Sequence, residues 1–213
     1  MIIYLSLASI LFPIIVGIRK FALADKAIKL FVFYLVLGLF ADVICVVMAR
    51  NKMNNLIVIN LFALVQSFLL PVILLSWIQS RRFKIVMYTV VAFLIAAFMY
   101  RFYSGGEQRE FDSILIPLQN LLFVILTIRV LIADTLETLP FNYKLWICGA
   151  LFFNFSVSIV IFCTTNLMAI DTEFAQKFLW YLNSIINIIT NILFAIGLLC
   201  IKPKMTSYLQ SLS

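Results

Sequence analysis

The chain has 213 residues, of which 65% are hydrophobic and 12% are charged; its formal net charge is +7 and it contains no histidine. Soluble domains are about half apolar and a quarter charged, so this composition excludes a soluble fold. The lack of imidazole ligands excludes a zinc-dependent membrane hydrolase, and no basic stripe with interleaved aromatic residues predicts nucleic-acid binding.

Seven apolar segments occupy nearly all of the chain. A transmembrane helix needs about 20 largely apolar residues, and an open chain in lipid satisfies its backbone only as a helix. The first segment carries its charges, Arg19 and Lys20, after the apolar run, which predicts one mature helix and not a signal peptide. We predict an all-α integral membrane protein, a single seven-helix bundle over residues 1–213. Its predicted spans are 1–18, 28–48, 56–78, 83–103, 113–133, 143–165 and 176–201.

Loop charges predict the orientation of this bundle. With the N-terminus outside, 11 of the 16 Lys and Arg residues lie inside, which favours an outer N-terminus and an inner C-terminus. The five that remain outside are Arg50, Lys52, Arg101, Arg109 and Lys177. The positive inner side is expected to contact anionic inner-leaflet lipid, in a bacterial inner (plasma) membrane.

Polar side chains inside the spans are the candidate ligand-binding residues, because polar groups are costly in lipid and usually face the bundle interior. In chain order they are Asp42, Asn60, Gln66, Gln119, Asn120, Asn154, Asn183 and Asn187. In the seventh span a polar stripe has helical spacing: Trp180, Asn183, Ser184, Asn187 and Asn191. We predict a polar cavity in the outer half, floored by Gln66, Asn154 and Asn187. The alternative is interhelical hydrogen bonding alone, worth roughly 0.6 kcal/mol per pair.

Asp42 is the only acid well inside a span. Three interpretations stay open: a structural acid, a cation or proton site, or a general acid/base. Catalysis would require a second titratable group near Asp42. Arg129 is a poor partner for Asp42, because it lies close enough to the inner boundary for its side chain to reach water. Transporters often contain helices that are broken near the midplane of the membrane. Only Pro71 and Pro117 are expected to interrupt spans away from their ends, so the transporter interpretation ranks lower.

The cysteines and the basic residues at the start of the fourth span predict packing and partner contacts, and they do not predict a cofactor. The four cysteines show no CxxC spacing and are interpreted as small packing residues, so neither a metal nor another cofactor is expected. Arg81, Arg82 and Lys84 are the candidate inner-face surface for a separate protein partner, because no soluble output domain is visible in the sequence.

Two short patches resemble a known family. Segment 149–158, GALFFNFSVS, is similar to the Gly-Ala-Leu-Leu-Phe-x-x-Ser-Asp-x-Leu stretch of the YhhN lysoplasmalogenase family, and segment 38–43, GLFADV, resembles that family's earlier acid-bearing helix. The resemblance implies a multi-span hydrolase of lysoplasmalogen vinyl-ether bonds in which Asp42 matches one important acid. Val157 stands at the second acid and cannot transfer a proton, and the family commonly has eight spans. The overall makeup also resembles small seven-span membrane proteins of Bacteroidetes.

The sequence therefore favours a non-enzymatic membrane protein that binds a small ligand or lipid in the outer-half cavity, or regulates a partner protein. The first alternative is a lysolipid hydrolase built around Asp42. The second is a small-solute or cation transporter.

Overall fold

The computed structural model describes residues 2–103, 114–134, 142–167 and 173–201, and the regular elements within these ranges are all α-helices. The helices are α1 (Ile2–Ser9), α2 (Leu11–Arg19), α3 (Lys26–Arg50), α4 (Leu56–Trp77), α5 (Arg81–Tyr103), α6 (Leu115–Asp134), α7 (Tyr143–Leu167) and α8 (Glu173–Leu199).

Seven helical segments are long and apolar enough to cross a membrane, which confirms the predicted all-α seven-span bundle. The first of them, Ile2–Arg19, contains both α1 and α2, and each of the other helices supplies one segment. The observed limits lie close to the predicted ones, because the apolar runs and the charges that bound them are long and unambiguous. The orientation with the N-terminus outside stays a prediction.

The helical hydrogen bonding of the first span is interrupted at Ile10, although the backbone of Ile10 stays in the right-handed helical region. The cause is Pro13, whose nitrogen cannot donate to the carbonyl of Ser9 and whose ring crowds that carbonyl. The helix resumes weakly, with the Ile14 N–H donating to the Ile10 carbonyl at 3.4 Å. Pro13 itself is buried, so the break is part of the packed interior.

The two prolines singled out in the sequence differ in effect. Pro71 lies inside α4 and is buried, and there it removes the bond that its N–H would have made to the Ser67 carbonyl. Pro117 lies in the first turn of α6, which begins at Leu115. A proline is tolerated there because the first N–H groups of a helix have no internal partner. The expectation that Pro117 interrupts its span is therefore wrong.

Six of the spans form a closed ring, and the seventh lies outside it. Around the ring, α2 packs against α3, α3 against α4, α4 against α6, α6 against α7, and α7 against α8. The ring closes because α8 packs against both α1 and α2. Helix α5 contacts α4 and, less extensively, α6, so most of its surface faces outward.

Two pairs of aromatic side chains pack inside the ring. Phe31 of α3 meets Phe194 of α8 edge to face, with ring centroids 5.0 Å apart. Phe123 of α6 packs on Phe155 of α7 at 4.8 Å. Phe31 and Phe123 are fully buried. These contacts span the ring from both sides, so this part of the bundle has a solid core.

Tight helix approach also depends on glycine. A methyl group placed on Gly17 of α2 would lie 2.5 Å from Val32 Cγ2 of α3, and Val32 is 3% exposed. A methyl group on Gly38 would instead meet Phe62 Cζ at 3.5 Å and Ile10 Cδ1 at 3.7 Å, which are ordinary contacts. The α2–α3 contact therefore requires glycine at position 17, whereas position 38 has room.

A cluster of polar contacts ties the end of the bundle that is predicted to face inward. Asp25 caps α3 by accepting from the Ile28 N–H at 2.8 Å, and its second oxygen accepts from the Tyr143 hydroxyl at 2.9 Å. Tyr143 also packs edge to face on Trp77 at 6.2 Å. Lys20 Nζ donates to the Ile201 carbonyl at 3.3 Å. Helices α2, α3, α4, α7 and α8 are thereby joined at one end.

Gly17→Ala and Gly38→Ala form a matched pair that tests this packing. Gly17→Ala should lower the free energy of unfolding by roughly 1–3 kcal/mol, because the stiff, buried Val32 cannot move aside. Gly38→Ala should leave it unchanged or raise it by up to about 1 kcal/mol, since alanine favours a helix. Thermal unfolding of the purified proteins in detergent measures both. Equal effects of the two substitutions would contradict the close α2–α3 approach.

Candidate functional site

The core-facing side chains of α3 are buried in the first part of the helix and become exposed towards its end. Residues spaced alternately by four and three lie on one face of a helix. On α3 these are Phe31, Leu35, Gly38, Asp42, Cys45 and Ala49, and the first three are buried. Cys45 is only half-buried, while Asp42 and Ala49 are exposed. The same face that seals the core at Phe31 is thus open at Asp42.

The opening has a defined floor one helical turn below Asp42. Gly38 lies there, with Phe62 of α4 and Ile10 of the α1–α2 break facing it. The Phe62 ring is held by stacking on Tyr34, with centroids 5.8 Å apart and planes 18° apart. At 1.5 Å per residue, Asp42 lies about 6 Å above Gly38 along the helix.

The mouth of the opening is bridged by Tyr4 of α1 and Arg50 of α3. Arg50 donates a 2.7 Å hydrogen bond to the Tyr4 hydroxyl, and its guanidinium lies 5.3 Å from the centre of the same ring. Arg50 is about 12 Å beyond Asp42 along α3. We call the space between this bridge and the Gly38 floor, with Asp42 and Cys45 on its wall, the Asp42 cleft.

The wall of the cleft nearest α1 continues to α8 through a polar contact. Asn191 Nδ2 donates to Ser9 Oγ at 2.8 Å, and Ser9 Oγ donates in turn to the Ser6 carbonyl at 2.6 Å. Ser9 directly precedes the break at Ile10, so this hydrogen bond holds the end of α1 at the level of the cleft floor. Asn187 and Asn183 lie one and two turns further along α8, towards its start, and are half-buried.

Asn154 joins α7 to α8 away from this wall. Its Nδ2 donates to Thr190 Oγ1 at 3.3 Å, and its oxygen accepts from Ser158 Oγ at 3.3 Å. Thr190 is 2% exposed, whereas Asn154 and Ser158 are partly exposed.

The glutamines form a third group, between α3, α4 and α6. Gln119 Nε2 donates to the Ala63 carbonyl at 3.1 Å and to Gln66 Oε1 at 3.3 Å, and Gln66 Nε2 donates to the Tyr34 hydroxyl at 2.8 Å. Gln119 is only 1% exposed and Tyr34 is 9% exposed. The Tyr34 ring in this group is the one that supports Phe62 at the cleft floor, so the glutamines brace the cleft from behind.

Three buried oxygens along α4 and α6 have no hydrogen-bond donor among the described residues. They are Asn60 Oδ1, Ser67 Oγ and Gln119 Oε1. Gln119 Oε1 faces away from Ala63, because the amide nitrogen is fixed by the Ala63 carbonyl. Asn60 lies three residues before Ala63 and Ser67 four residues after it, so both are on the same face of α4. This face therefore carries buried oxygen atoms that accept no hydrogen bond from the described residues.

The predicted site residues thus divide among several places. Gln66 and Gln119 are joined to each other, with Asn120 buried beside Gln119 in the same helix. Asn154 is paired with Thr190, and Asp42 lies in the cleft. The side chain of Trp180 lies outside the described part of the chain. At the start of α5, Arg81 and Arg82 are exposed and Lys84 is half-buried.

Several contributors were absent from the sequence prediction: Tyr4, Ser9, Tyr34 and Arg50. Tyr4 and Tyr34 look like ordinary aromatic residues of a span, and Arg50 looks like a loop charge. The seven-residue spacing of the α3 stripe was the available signal for the direction in which Asp42 faces. No group of three or more metal-ligating side chains is found in the part of the chain that the structure describes.

Comparisons with protein-family models, with curated proteins and with solved structures found no match for this chain.

A double-mutant cycle between Tyr34→Phe and Gln66→Leu should reveal a coupling of about 0.6 kcal/mol, and no more than roughly 1.7 kcal/mol, from the hydrogen bond that joins them. The measurement is the unfolding free energy of the two single variants and the double variant in mixed micelles.

Tyr143→Phe combined with Gln66→Leu is the control, because the Tyr143 hydroxyl is bonded to Asp25 at the end of the bundle. That pair should be additive. Additivity of the Tyr34 and Gln66 substitutions would show that the bond contributes nothing.

Proposed function

We propose that this protein is a non-enzymatic membrane protein that binds a small ligand in the Asp42 cleft and relays its occupancy to a partner. The observation that carries the proposal is the position of Asp42, which lies on the core-facing stripe of α3 and is nevertheless exposed. A side chain on that stripe is exposed only if the helices diverge above it.

The free-energy cost of placing a carboxyl group inside a membrane span supports a binding role for Asp42. An aspartate at the centre of a transmembrane helix costs about 2.5–3.5 kcal/mol on insertion scales, and such residues usually mark functional sites. Asp42 forms no salt bridge with any cation in the described ranges. A purely structural acid would be expected to have a partner that offsets this cost, so the exposed group is better explained by a ligand or by water in the cleft.

The surroundings of Asp42 favour binding over catalysis. General acid/base chemistry requires a second group that can hold or accept a proton. Val157, which stands where the YhhN resemblance would require an acid, is an apolar residue on α7. Cys45, one turn from Asp42, is the titratable side chain nearest to it along α3. The lysolipid hydrolase thus has less support than the binding protein.

The relay to a partner is supported by the way the cleft is built. Its floor includes Ile10, where the first span is broken, and the Ser9–Asn191 hydrogen bond holds that break against α8. A ligand pressing on this floor would act next to the Ser9 carbonyl, which has lost its helical hydrogen bond to position 13. Arg81 and Arg82, exposed at the start of α5, are the proposed docking surface for the partner and for anionic lipid of a bacterial inner membrane.

Thiol labelling tests whether the Asp42 cleft is open to water. A variant that keeps only Cys45 should react with a charged, membrane-impermeant methanethiosulfonate reagent, because the thiolate forms in water and not in lipid. A variant that keeps only Cys148, which is fully buried, should not react. Labelling is measured by mass shift in intact cells or proteoliposomes.

Ile44→Cys in a background without other cysteines is the matched control. Ile44 is adjacent to Cys45 at nearly the same depth, but it is 47% exposed and lies about 200° around α3 from Asp42, outside the core-facing stripe. It should stay unlabelled. Equal reactivity at positions 44 and 45, or none at 45, would remove the cleft and the function proposed for it.

A further inference from the structure

We infer that the ligand of the Asp42 cleft is a small organic monocation, a protonated amine with an apolar body. This inference rests on the binding function proposed above and adds the chemical class of the ligand.

The charge of the ligand follows from the charges around the cleft. Asp42 is the only acid on the cleft wall, and no described cation lies within salt-bridge distance of it. In surroundings of low dielectric, a single unpaired carboxylate strongly favours one positive charge. An anion would be repelled, and a neutral ligand would leave the carboxylate unpaired.

Arg50 does not supply the missing charge. Its guanidinium is held at the mouth by the Tyr4 hydroxyl at 2.7 Å and by the face of the Tyr4 ring at 5.3 Å. The backbone positions of Arg50 and Asp42 lie about 12 Å apart along the axis of α3. Because the contacts of the guanidinium are made to Tyr4, the Asp42 carboxyl group is left without an ion pair, and a cation that enters from the mouth can supply one.

The apolar body of the ligand follows from the cleft floor. Below Asp42, the three heavy atoms nearest to the Cβ position of Gly38 all belong to the apolar side chains of Phe62 and Ile10. The Phe62 ring is fixed by its stack on Tyr34. A flat or short alkyl group fits this floor, and its ammonium group would then lie beside Asp42 and within range of an aromatic face.

Three probes of nearly the same shape separate charge from hydrophobicity: 2-phenylethylamine, 2-phenylethanol and phenylacetate. Binding to the purified wild-type protein is measured as the shift of its unfolding temperature with probe concentration. We expect the amine to bind at least about tenfold more tightly than the alcohol, and phenylacetate to give no shift. Asp42→Asn should abolish the preference for the amine, and Asp42→Glu should restore part of it.

A second readout does not depend on the folding of the Asp42 variants. In the variant that keeps only Cys45, the amine should slow labelling of Cys45, whereas the alcohol at the same concentration should not. Equal affinity of amine and alcohol, as a carboxyl group that stays protonated would give, overturns the inference. Tighter binding of phenylacetate, or an amine preference that survives Asp42→Asn, also overturns it.

The two proposals fail separately. If Cys45 is labelled while Ile44→Cys is not, and no probe shows an amine preference, the cleft stands and the ligand class is wrong. If Cys45 is not labelled at all, the proposed function is wrong and the ligand class falls with it.

Discussion

One constraint organises this molecule: a carboxyl group in the middle of a membrane must face something polar. Asp42 meets this constraint on the core-facing stripe of α3 and not on a lipid-facing side. The bundle consequently cannot close above Gly38 as it closes below it. The bridge between Tyr4 and Arg50 and the half-burial of Cys45 are both consistent with keeping that carboxyl group in contact with water or a ligand.

The bundle thus has two parts with different physical roles. The pairs Phe31–Phe194 and Phe123–Phe155 fill the ring with close-packed aromatic side chains, and such a core resists deformation. Towards Asp42, the core-facing stripe of α3 becomes less buried, with Cys45 half-buried and Asp42 exposed. Pro13 and Pro71 are both buried, and each removes one helical hydrogen bond.

The spans were predictable because they depend on local properties: the length of an apolar run and the demand of lipid for a satisfied backbone. The broken first span was missed because the apolar run continues across Pro13, and only the effect of proline on Ser9 divides it. The amide pairs were not predictable, because they depend on helix rotation and on neighbours that are distant in sequence. Gln66 was expected to floor a cavity, yet it bonds Tyr34 and Gln119. The direction of Asp42 could have been read from its spacing to Phe31 and Leu35, since that spacing is a property of one helix.

The closure of the ring by α8 has a consequence for how the protein is made. Because α8 packs against α1 and α2, a helix that is synthesised later in the chain is a neighbour of two that precede it by more than 150 residues. The wall of the cleft that contains Ser9 is anchored by Asn191 of α8, so it lacks this anchor until α8 has been inserted. Under the function proposed above, ligand binding would therefore report that the ring from α1 to α8 has been assembled.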